Sequence, residues 1–91
     1  MNIKVKIAPT LQEHSHLPPS LEVSGNTVGE CLDDLIRQYP EAGRWLFYSN
    51  GLLRVYVSIN NDVTLTPNTG DMGRILHRGD ELRIFAVVAG G

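Results

Sequence analysis

The sequence predicts a single α+β domain in which one amphipathic helix packs against one face of a mixed β-sheet. Short runs of alternating apolar and polar residues recur in both halves of the chain, as in half-buried strands. Between them lies one stretch with the three- and four-residue apolar spacing of a helix. A length of 91 residues also suits one domain, residues 1–91, with one modest core.

The amino-terminal strands are predicted from alternation. The first covers residues 3–7, where Lys4 and Lys6 lie on the polar side and the other residues are apolar. Residues 10–19 are expected to form a polar loop or a wide hairpin connection. A second short strand is expected over residues 20–24.

A helix from Thr27 to about Tyr39 gives the clearest local signal. Thr27 and Glu30 fit a capping box, in which Thr27 caps the helix and the Glu30 carboxylate reaches back to the amide of Thr27. The apolar face of this helix consists of Val28, Leu32, Leu35, Ile36 and Tyr39. Pro40 ends or kinks the helix, and residues 41–47 are expected to add a short turn that folds back on the core.

The second half of the chain is predicted to supply three more strands. The longest covers residues 53–59, a short edge strand covers 63–65, and the last runs over 81–87. Residues 71–76 suggest one helical turn, and residues 78–80 a tight turn. An early hairpin, a helix and then further strands at this length indicate a β-grasp, or ubiquitin-like, fold with four or five strands and one main helix.

Composition and charge argue against several classes of function. The chain is 42% hydrophobic and 20% charged, with a formal net charge of −2, so it lacks the basic excess of a nucleic-acid binder. No apolar run approaches the ~20 residues of a membrane span, and the first residues do not resemble a signal peptide. A cytoplasmic domain that binds neither nucleic acid nor membrane is expected.

Cysteine and histidine give only weak site candidates. One cysteine permits no internal disulfide and no four-cysteine iron–sulfur cluster. Cys31 flanks the apolar helix stripe and is expected to be a core residue. His14 and His16 lack a third ligand, so no metal site is predicted. His77 is expected at the surface.

The carboxyl-terminal residues are the strongest functional candidates. Val88, Ala89, Gly90 and Gly91 follow the last predicted strand and are expected to form a flexible tail. Glycine has no Cβ, so Gly90 and Gly91 can pass through a slot too narrow for side chains. These residues offer no general acid, base or side-chain nucleophile, so any chemistry at the tail must be catalysed by a partner.

The chain resembles the MoaD/ThiS family of ubiquitin-like sulfur carriers, which includes the small subunit of molybdopterin synthase and a cysteine-biosynthesis carrier. The resemblance covers the whole chain. It rests on strand 3–7, helix 27–39, strand 55–60, the run Arg78-Gly79-Asp80-Glu81-Leu82 and the closing Val87-Val88-Ala89-Gly90-Gly91. Molybdopterin carriers tend to have proline where this chain has Ala86 and Val87, which leaves the pathway open among molybdopterin, cysteine and another sulfur-containing metabolite.

This resemblance implies that Gly91 is the reacting residue. An E1-like enzyme would use ATP to adenylate the Gly91 carboxylate, and a sulfur donor would convert it to a thiocarboxylate. The thiocarboxylate would donate its sulfur in a synthase subunit or another acceptor enzyme, and a metalloprotease is a further possible partner that releases the product. The chain itself would be a protein co-substrate with no bound cofactor, not an enzyme.

A partner-binding surface is predicted on the sheet face opposite the helix. Alternation places four cations, two aromatic residues and one valine on this face, namely Lys4, Lys6, Arg54, Arg83, Tyr56, Phe85 and Val87. Arginine and aromatic side chains are enriched at protein interfaces, whereas a solvated face is the ordinary alternative. Two aromatic residues beside the tail favour an interface formed by Arg54, Tyr56, Arg83, Phe85 and Val87.

Two other functions remain open at the level of sequence. The chain could be a ubiquitin-like modifier that forms isopeptide bonds between Gly91 and lysines, or a β-grasp binding module with an inert tail. The modifier shares the adenylation step with the carrier and differs only in its acceptor.

Overall fold

The described part of the chain contains five strands, three helical segments with known bounds, and helical backbone at Pro9, Leu11 and Gln12. The computed structural model describes residues 1–9, 11–12, 17–50, 53–65 and 72–85, and only the backbone of 63–65. The strands are Asn2–Ile7 (β1), Ser20–Ser24 (β2), Tyr56–Ile59 (β3), Val63–Leu65 (β4) and Glu81–Phe85 (β5). The helices are Val28–Gln38 (α1), the 3-10 helix Pro40–Ala42 and Gly43–Leu46 (α2).

These strands form one mixed sheet in the order β2–β1–β5–β3–β4. β1 and β5 run parallel, with Val5 opposite Leu82, and the remaining pairs are antiparallel. Parallel neighbours require a crossover connection, and α1 lies in the connection between β1 and β5. The predicted α+β fold, a mixed sheet with one main helix, is confirmed.

Helix α1 begins where the capping motif predicts, with one difference in the cap. The Thr27 hydroxyl accepts from the Glu30 amide at 3.1 Å, as expected. The Glu30 carboxylate accepts from the amide of Asn26 at 2.7 Å, whereas the predicted partner was the amide of Thr27. The backbone before α1 pairs with a later segment, since the Leu76 amide donates to the Asn26 carbonyl at 2.8 Å. In this arrangement the amide of Asn26 is the one that faces the carboxylate.

The core lies between α1 and the sheet face that the helix covers. Its least exposed large side chains include Ile3, Val5, Leu32, Leu35, Leu46, Leu82 and Ile84. Leu11 and Leu17 are also buried, at 7% and 8% exposure. Of the two alternatives predicted for residues 10–19, the wide hairpin connection is confirmed, because β1 and β2 pair antiparallel. The polar loop is wrong for these two leucines, whose isolated positions show no periodicity.

Two further predictions of local structure were wrong. The third strand begins at Tyr56 and is shorter than predicted, because Leu53 forms an isolated bridge with Phe47 and the Arg54 amide donates to the Leu46 carbonyl at 2.7 Å. Residues 72–76 form a turn and then a bridge between Ile75 and Thr27, where a helical turn was predicted. No helix in the described residues is long and apolar enough to cross a membrane.

Candidate functional site

The predicted reactive tail, residues 88–91, follows β5 in the sequence after two intervening residues. Val87, Val88, Ala89, Gly90 and Gly91 lie outside the described residues, as do His14 and His16. Phe85 is the last residue of β5. The side chains around the end of β5 therefore form the described surface nearest to the tail in sequence.

The sheet face away from α1 carries an aromatic pair at this point. Tyr56 lies directly opposite Phe85 in the antiparallel pair of β3 and β5. Their ring centroids are 5.5 Å apart with the planes tilted by 32°. Both side chains are half-buried, so the open face presents a continuous apolar surface at the end of β5. The predicted placement of these two residues together is confirmed.

Cations lie beside the aromatic pair. Lys6 of β1 is directly opposite Arg83 of β5, and both are on the open face. The Lys6 ammonium pairs with the Glu81 carboxylate at 3.4 Å. Arg83 is exposed and forms no ion pair with any described residue. Its other cross-strand neighbour is Ser58, which is uncharged.

Arg54 is exposed and lies just before β3. Its guanidinium donates to the Arg44 carbonyl at 2.8 Å and lies 5.0 Å from the ring centroid of Tyr48, which is 51% exposed. Tyr56, Arg83 and Phe85 lie in the strands themselves.

A cleft next to Arg83 was not predicted from the sequence. It has a volume of about 210 Å³ and is lined by Lys6, Ile7, Ala8, Pro9, Pro19 and Arg83. Backbone hydrogen bonds hold its walls, since the Ile7 amide donates to the Pro19 carbonyl at 3.0 Å and the Ala8 amide to the Ile84 carbonyl at 2.9 Å. Its lining combines residues of β1, β5 and the connection between β1 and β2, so no local residue spacing indicates it.

The turn before β5 forms a dense hydrogen-bond network around Asp80. Its carboxylate accepts from the Asn60 side chain at 2.9 Å and from the His77 amide at 2.7 Å. The Asn60 side chain in turn accepts from the Glu81 amide at 2.9 Å. The hydrogen bond from Asn60, followed by the one from His77, lowers the pKa of Asp80. His77 itself is exposed, as predicted.

Two buried side chains, Cys31 and Ser58, lie outside the Asp80 hydrogen-bond network. Cys31 is fully buried, and burial is the main cause that raises its pKa to about 11, which confirms it as a core residue. Ser58 is 5% exposed, and its hydroxyl has no hydrogen-bond partner among the described residues. Nowhere in the described residues do three or more His, Cys, Asp or Glu side chains form a group able to hold a metal ion.

Comparison with known proteins identifies the family. A model of the ThiS family matches residues 10–91. The sulfur carrier protein CysO of Mycobacterium tuberculosis is 30% identical over 93 residues, and the match covers 100% of this chain and 100% of CysO.

Solved structures of similar fold point in the same direction. SAMP1, the small archaeal modifier protein 1 of Haloferax volcanii, matches with a TM-score of 0.79 at 26% identity and covers 100% of both chains. A chain of the BexX/CysO complex of Amycolatopsis orientalis matches with a TM-score of 0.77 at 28% identity, over 98% of this chain and 99% of that one.

Proposed function

The chain belongs to the ThiS family, and we propose that it is a ubiquitin-like sulfur carrier that bears its sulfur on the carboxyl group of Gly91. The observation that carries this proposal is the full-length similarity to the sulfur carrier CysO, with 100% of both chains covered. The β-grasp sheet supports it, because β5 leads the chain toward Gly90 and Gly91.

The proposed chemistry begins with activation of a poor electrophile. A carboxylate oxygen of Gly91 attacks the α-phosphorus of ATP on an E1-like enzyme, which releases pyrophosphate and leaves an acyl-adenylate. A sulfur nucleophile then attacks the acyl carbon and displaces AMP, which departs with that oxygen. With hydrosulfide as the nucleophile, loss of AMP and of the sulfur-bound proton leaves a thiocarboxylate directly; with a persulfide donor, a thiol must then cleave the S–S bond of the acyl disulfide and is itself oxidised to a disulfide with the donor. The anionic sulfur of the thiocarboxylate can attack an activated carbon in the acceptor enzyme.

The role of this chain is to present the reacting group, while its partners catalyse. Cys31 is unsuited to carrying the sulfur, because it is fully buried and its pKa of about 11 keeps the thiol protonated at neutral pH. The open face around Tyr56, Arg83 and Phe85 is proposed to bind partners beside the tail, together with Arg54 and Val87. Exposed arginines and aromatic rings suit such an interface.

The proposed partners are an E1-like activating enzyme and a sulfur-accepting synthase or other enzyme, with a metalloprotease releasing the product in a cysteine-type pathway. The structural similarity to a CysO chain in complex with BexX supports a protein partner. The reaction is proposed to take place in the cytoplasm.

Intact mass spectrometry tests the function directly. The protein is incubated with the activating enzyme, ATP and a sulfur source. A mass gain that matches exchange of one oxygen for sulfur is expected, and fragmentation should place it at Gly91. No change with an enzyme that activates its other substrates would contradict the proposal.

Variants of the tail sharpen this test. Gly91→Val, or one residue added after Gly91, should abolish ATP–pyrophosphate exchange while leaving the fold intact. The branched side chain does not fit a narrow slot and restricts the backbone, and the added residue moves the carboxylate outward by roughly 3.5 Å. Cys31→Ala is the control, and it should retain the mass gain.

A second function is favoured by a specific observation. SAMP1, whose name describes a modifier, matches over the whole chain with a TM-score of 0.79. A modifier would form an amide between Gly91 and a lysine amine of a target protein. In the same incubation with added cell proteins, a ladder of conjugates absent from Gly91→Val would support this role.

A further inference from the structure

Lys6 and Arg83 lie side by side on the open face and differ in their ion pairs. Lys6 pairs with Glu81 at 3.4 Å, whereas Arg83 pairs with no described carboxylate. Lys4, opposite Glu22 of β2, is likewise without an ion pair among the described residues. Arg83 has a like charge, Lys6, on one side and the neutral Ser58 on the other. Like charges on neighbouring strands repel each other, although solvent and salt weaken the repulsion between exposed groups. The fold therefore tolerates an unfavourable pair, and Glu81 offsets only the Lys6 half of it.

The cleft beside this pair has mixed chemistry. Lys6 and Arg83 contribute its cations, and the remaining lining residues, Ile7, Ala8, Pro9 and Pro19, are apolar apart from their backbone. A volume of about 210 Å³ has room for one amino-acid side chain. Apolar walls suit the methylene groups of an acidic side chain, and the planar guanidinium of arginine matches a carboxylate with two parallel hydrogen bonds.

The position of the cleft links it to partner binding. Arg83 lies between the cleft and the aromatic pair Tyr56–Phe85, two residues before the end of β5. A partner that receives the tail would cover this part of the open face. The chain as a whole carries a net charge of −2, which would repel acidic groups of a partner. The local excess of cations at the cleft has the opposite effect and favours acidic groups there.

We propose that the cleft between Lys6 and Arg83 binds the carboxylate of an acidic side chain of the activating enzyme, and that Lys6 keeps its ion pair with Glu81 until that carboxylate arrives. Arg83 is the main contact, because it has no competing ion pair among the described residues. Lys6 exchanges Glu81 for the incoming carboxylate. The assignment to the activating enzyme rests on the proposed sulfur-carrier function, whereas the carboxylate site itself does not.

A titration of the isolated protein tests the site without any enzyme. The probe is the peptide acetyl-Glu-Glu-Glu-amide, followed by amide chemical shifts of the isotope-labelled chain at low salt. Shifts are expected to concentrate at Lys6, Ala8 and Arg83 and to weaken with added salt. The neutral peptide acetyl-Gln-Gln-Gln-amide should produce none of them. Equal shifts with inorganic phosphate at the same affinity would overturn the proposal in favour of a general anion site.

Substitutions should change the peptide affinity in opposite directions. Arg83→Gln should weaken it about two- to fivefold, as for an exposed ion pair. Glu81→Gln should strengthen it about twofold by releasing Lys6. Arg78→Gln and Asp33→Asn make the same changes of net charge at exposed positions outside the cleft and should have little effect. Equal effects of these controls, or no gain from Glu81→Gln, would overturn the proposal.

The assignment to the activating enzyme has its own measurement. In ATP–pyrophosphate exchange, Arg83→Gln should raise KM about two- to fivefold with kcat unchanged. An unchanged KM, with wild-type exchange intact, would refute the assignment while leaving the proposed function standing. Absence of exchange in the wild type would instead contradict the proposed function, and the peptide titration would still decide the carboxylate site.

Discussion

The two ends of β5 differ in how their polar groups are used. At the start of the strand, Asp80 and Asn60 hold each other and the backbone of His77 and Glu81 through hydrogen bonds of 2.7 to 2.9 Å. Further along, Arg83, the third of five residues, is exposed with no ion pair among the described residues, and Phe85 ends the strand beside Tyr56. Arg83 lies roughly 7 Å and Phe85 roughly 13 Å along the strand from Glu81.

This difference separates anchoring from recognition. Groups whose hydrogen bonds are satisfied within the chain have few donors or acceptors left for a partner. A cation without an ion pair, beside two aromatic rings, can still bind a partner. The Arg78-Gly79-Asp80-Glu81 run, on which the resemblance to the family partly rests, therefore fixes the start of β5, the strand that precedes the tail in the sequence. Among the described residues, Glu81 alone takes part in both regions, through its amide at the anchor and its carboxylate at Lys6.

The largest effect is expected from the core face of β5. Leu82 is fully buried, and Leu82→Ala should lower the free energy of unfolding by about 2–5 kcal/mol through lost burial and a residual cavity. Arg83→Ala, one residue on, is the matched control and should change stability by less than about 0.5 kcal/mol. Chemical denaturation measures both. Equal losses would mean that the open face is as important for stability as the core face.

A smaller loss of stability is expected at the anchor. Asp80→Ala removes the acceptor of two hydrogen bonds and should cost about 1–2 kcal/mol at neutral pH, since the carboxylate is partly solvated. The binding of partners at the other end of β5 should change little in the folded variant. A large loss of affinity with only a small loss of stability would contradict the separation of the two ends.

The pH dependence of this difference has a definite sign. The folded structure lowers the pKa of Asp80, so the unfolded chain binds the proton more readily. The stabilisation by Asp80 is thus fully present above the unfolded pKa of about 4 and is lost as pH falls through the lower folded value. The stability gap between the wild type and Asp80→Ala should therefore narrow under acid. Asp34, whose pKa is also lowered, is present in both proteins and contributes equally.

The sequence was sufficient for the elements whose periodicity and caps are local. The alternation around Val5 and the spacing from Val28 to Leu35 predicted β1 and α1, and Thr27 caps the helix as predicted. Adjacent placement of Tyr56 and Phe85 followed from the β-grasp topology once the fold was inferred.

The parts that were missed depend on contacts between distant segments. Arg54 continues the alternation of β3, yet its amide bonds to the Leu46 carbonyl and its guanidinium to the Arg44 carbonyl, so it leaves the strand. The cleft beside Arg83 exists because the Ile7 amide pairs with the Pro19 carbonyl across a long connection. Neither contact has a counterpart in local residue spacing.

Glycine at the anchor should matter through its backbone angle. Gly79 has a φ of +90°, and a Cβ added there meets nothing within 4 Å. Gly79→Ala should therefore cost about 1–2 kcal/mol through backbone strain alone. Gly43→Ala is the control, since Gly43 has helical angles, with φ of −57°, and its added Cβ contacts only Ile36 at 3.8 and 3.9 Å. This variant should gain up to about 1 kcal/mol. Similar losses of thermal stability in the Gly79→Ala and Gly43→Ala variants would show that the backbone angle at Gly79 is not the reason for glycine at this position.

The smallest effect on stability is expected at Ser58, whose polar side chain is buried in the open face. Its hydroxyl is buried with no hydrogen-bond partner among the described residues, although the residue lies between β4 and β5 on the recognition side. A buried hydroxyl without a partner is unfavourable, so Ser58→Ala should leave the free energy of unfolding unchanged or raise it by about 1 kcal/mol. Asp80→Ala removes a polar group whose partners are present and should have the opposite sign. If Ser58→Ala lowered the free energy of unfolding by more than about 1 kcal/mol, the hydroxyl would have a hydrogen-bond partner in solution. The polar groups of the open face would then be hydrogen-bonded within the chain, as those of the anchor are.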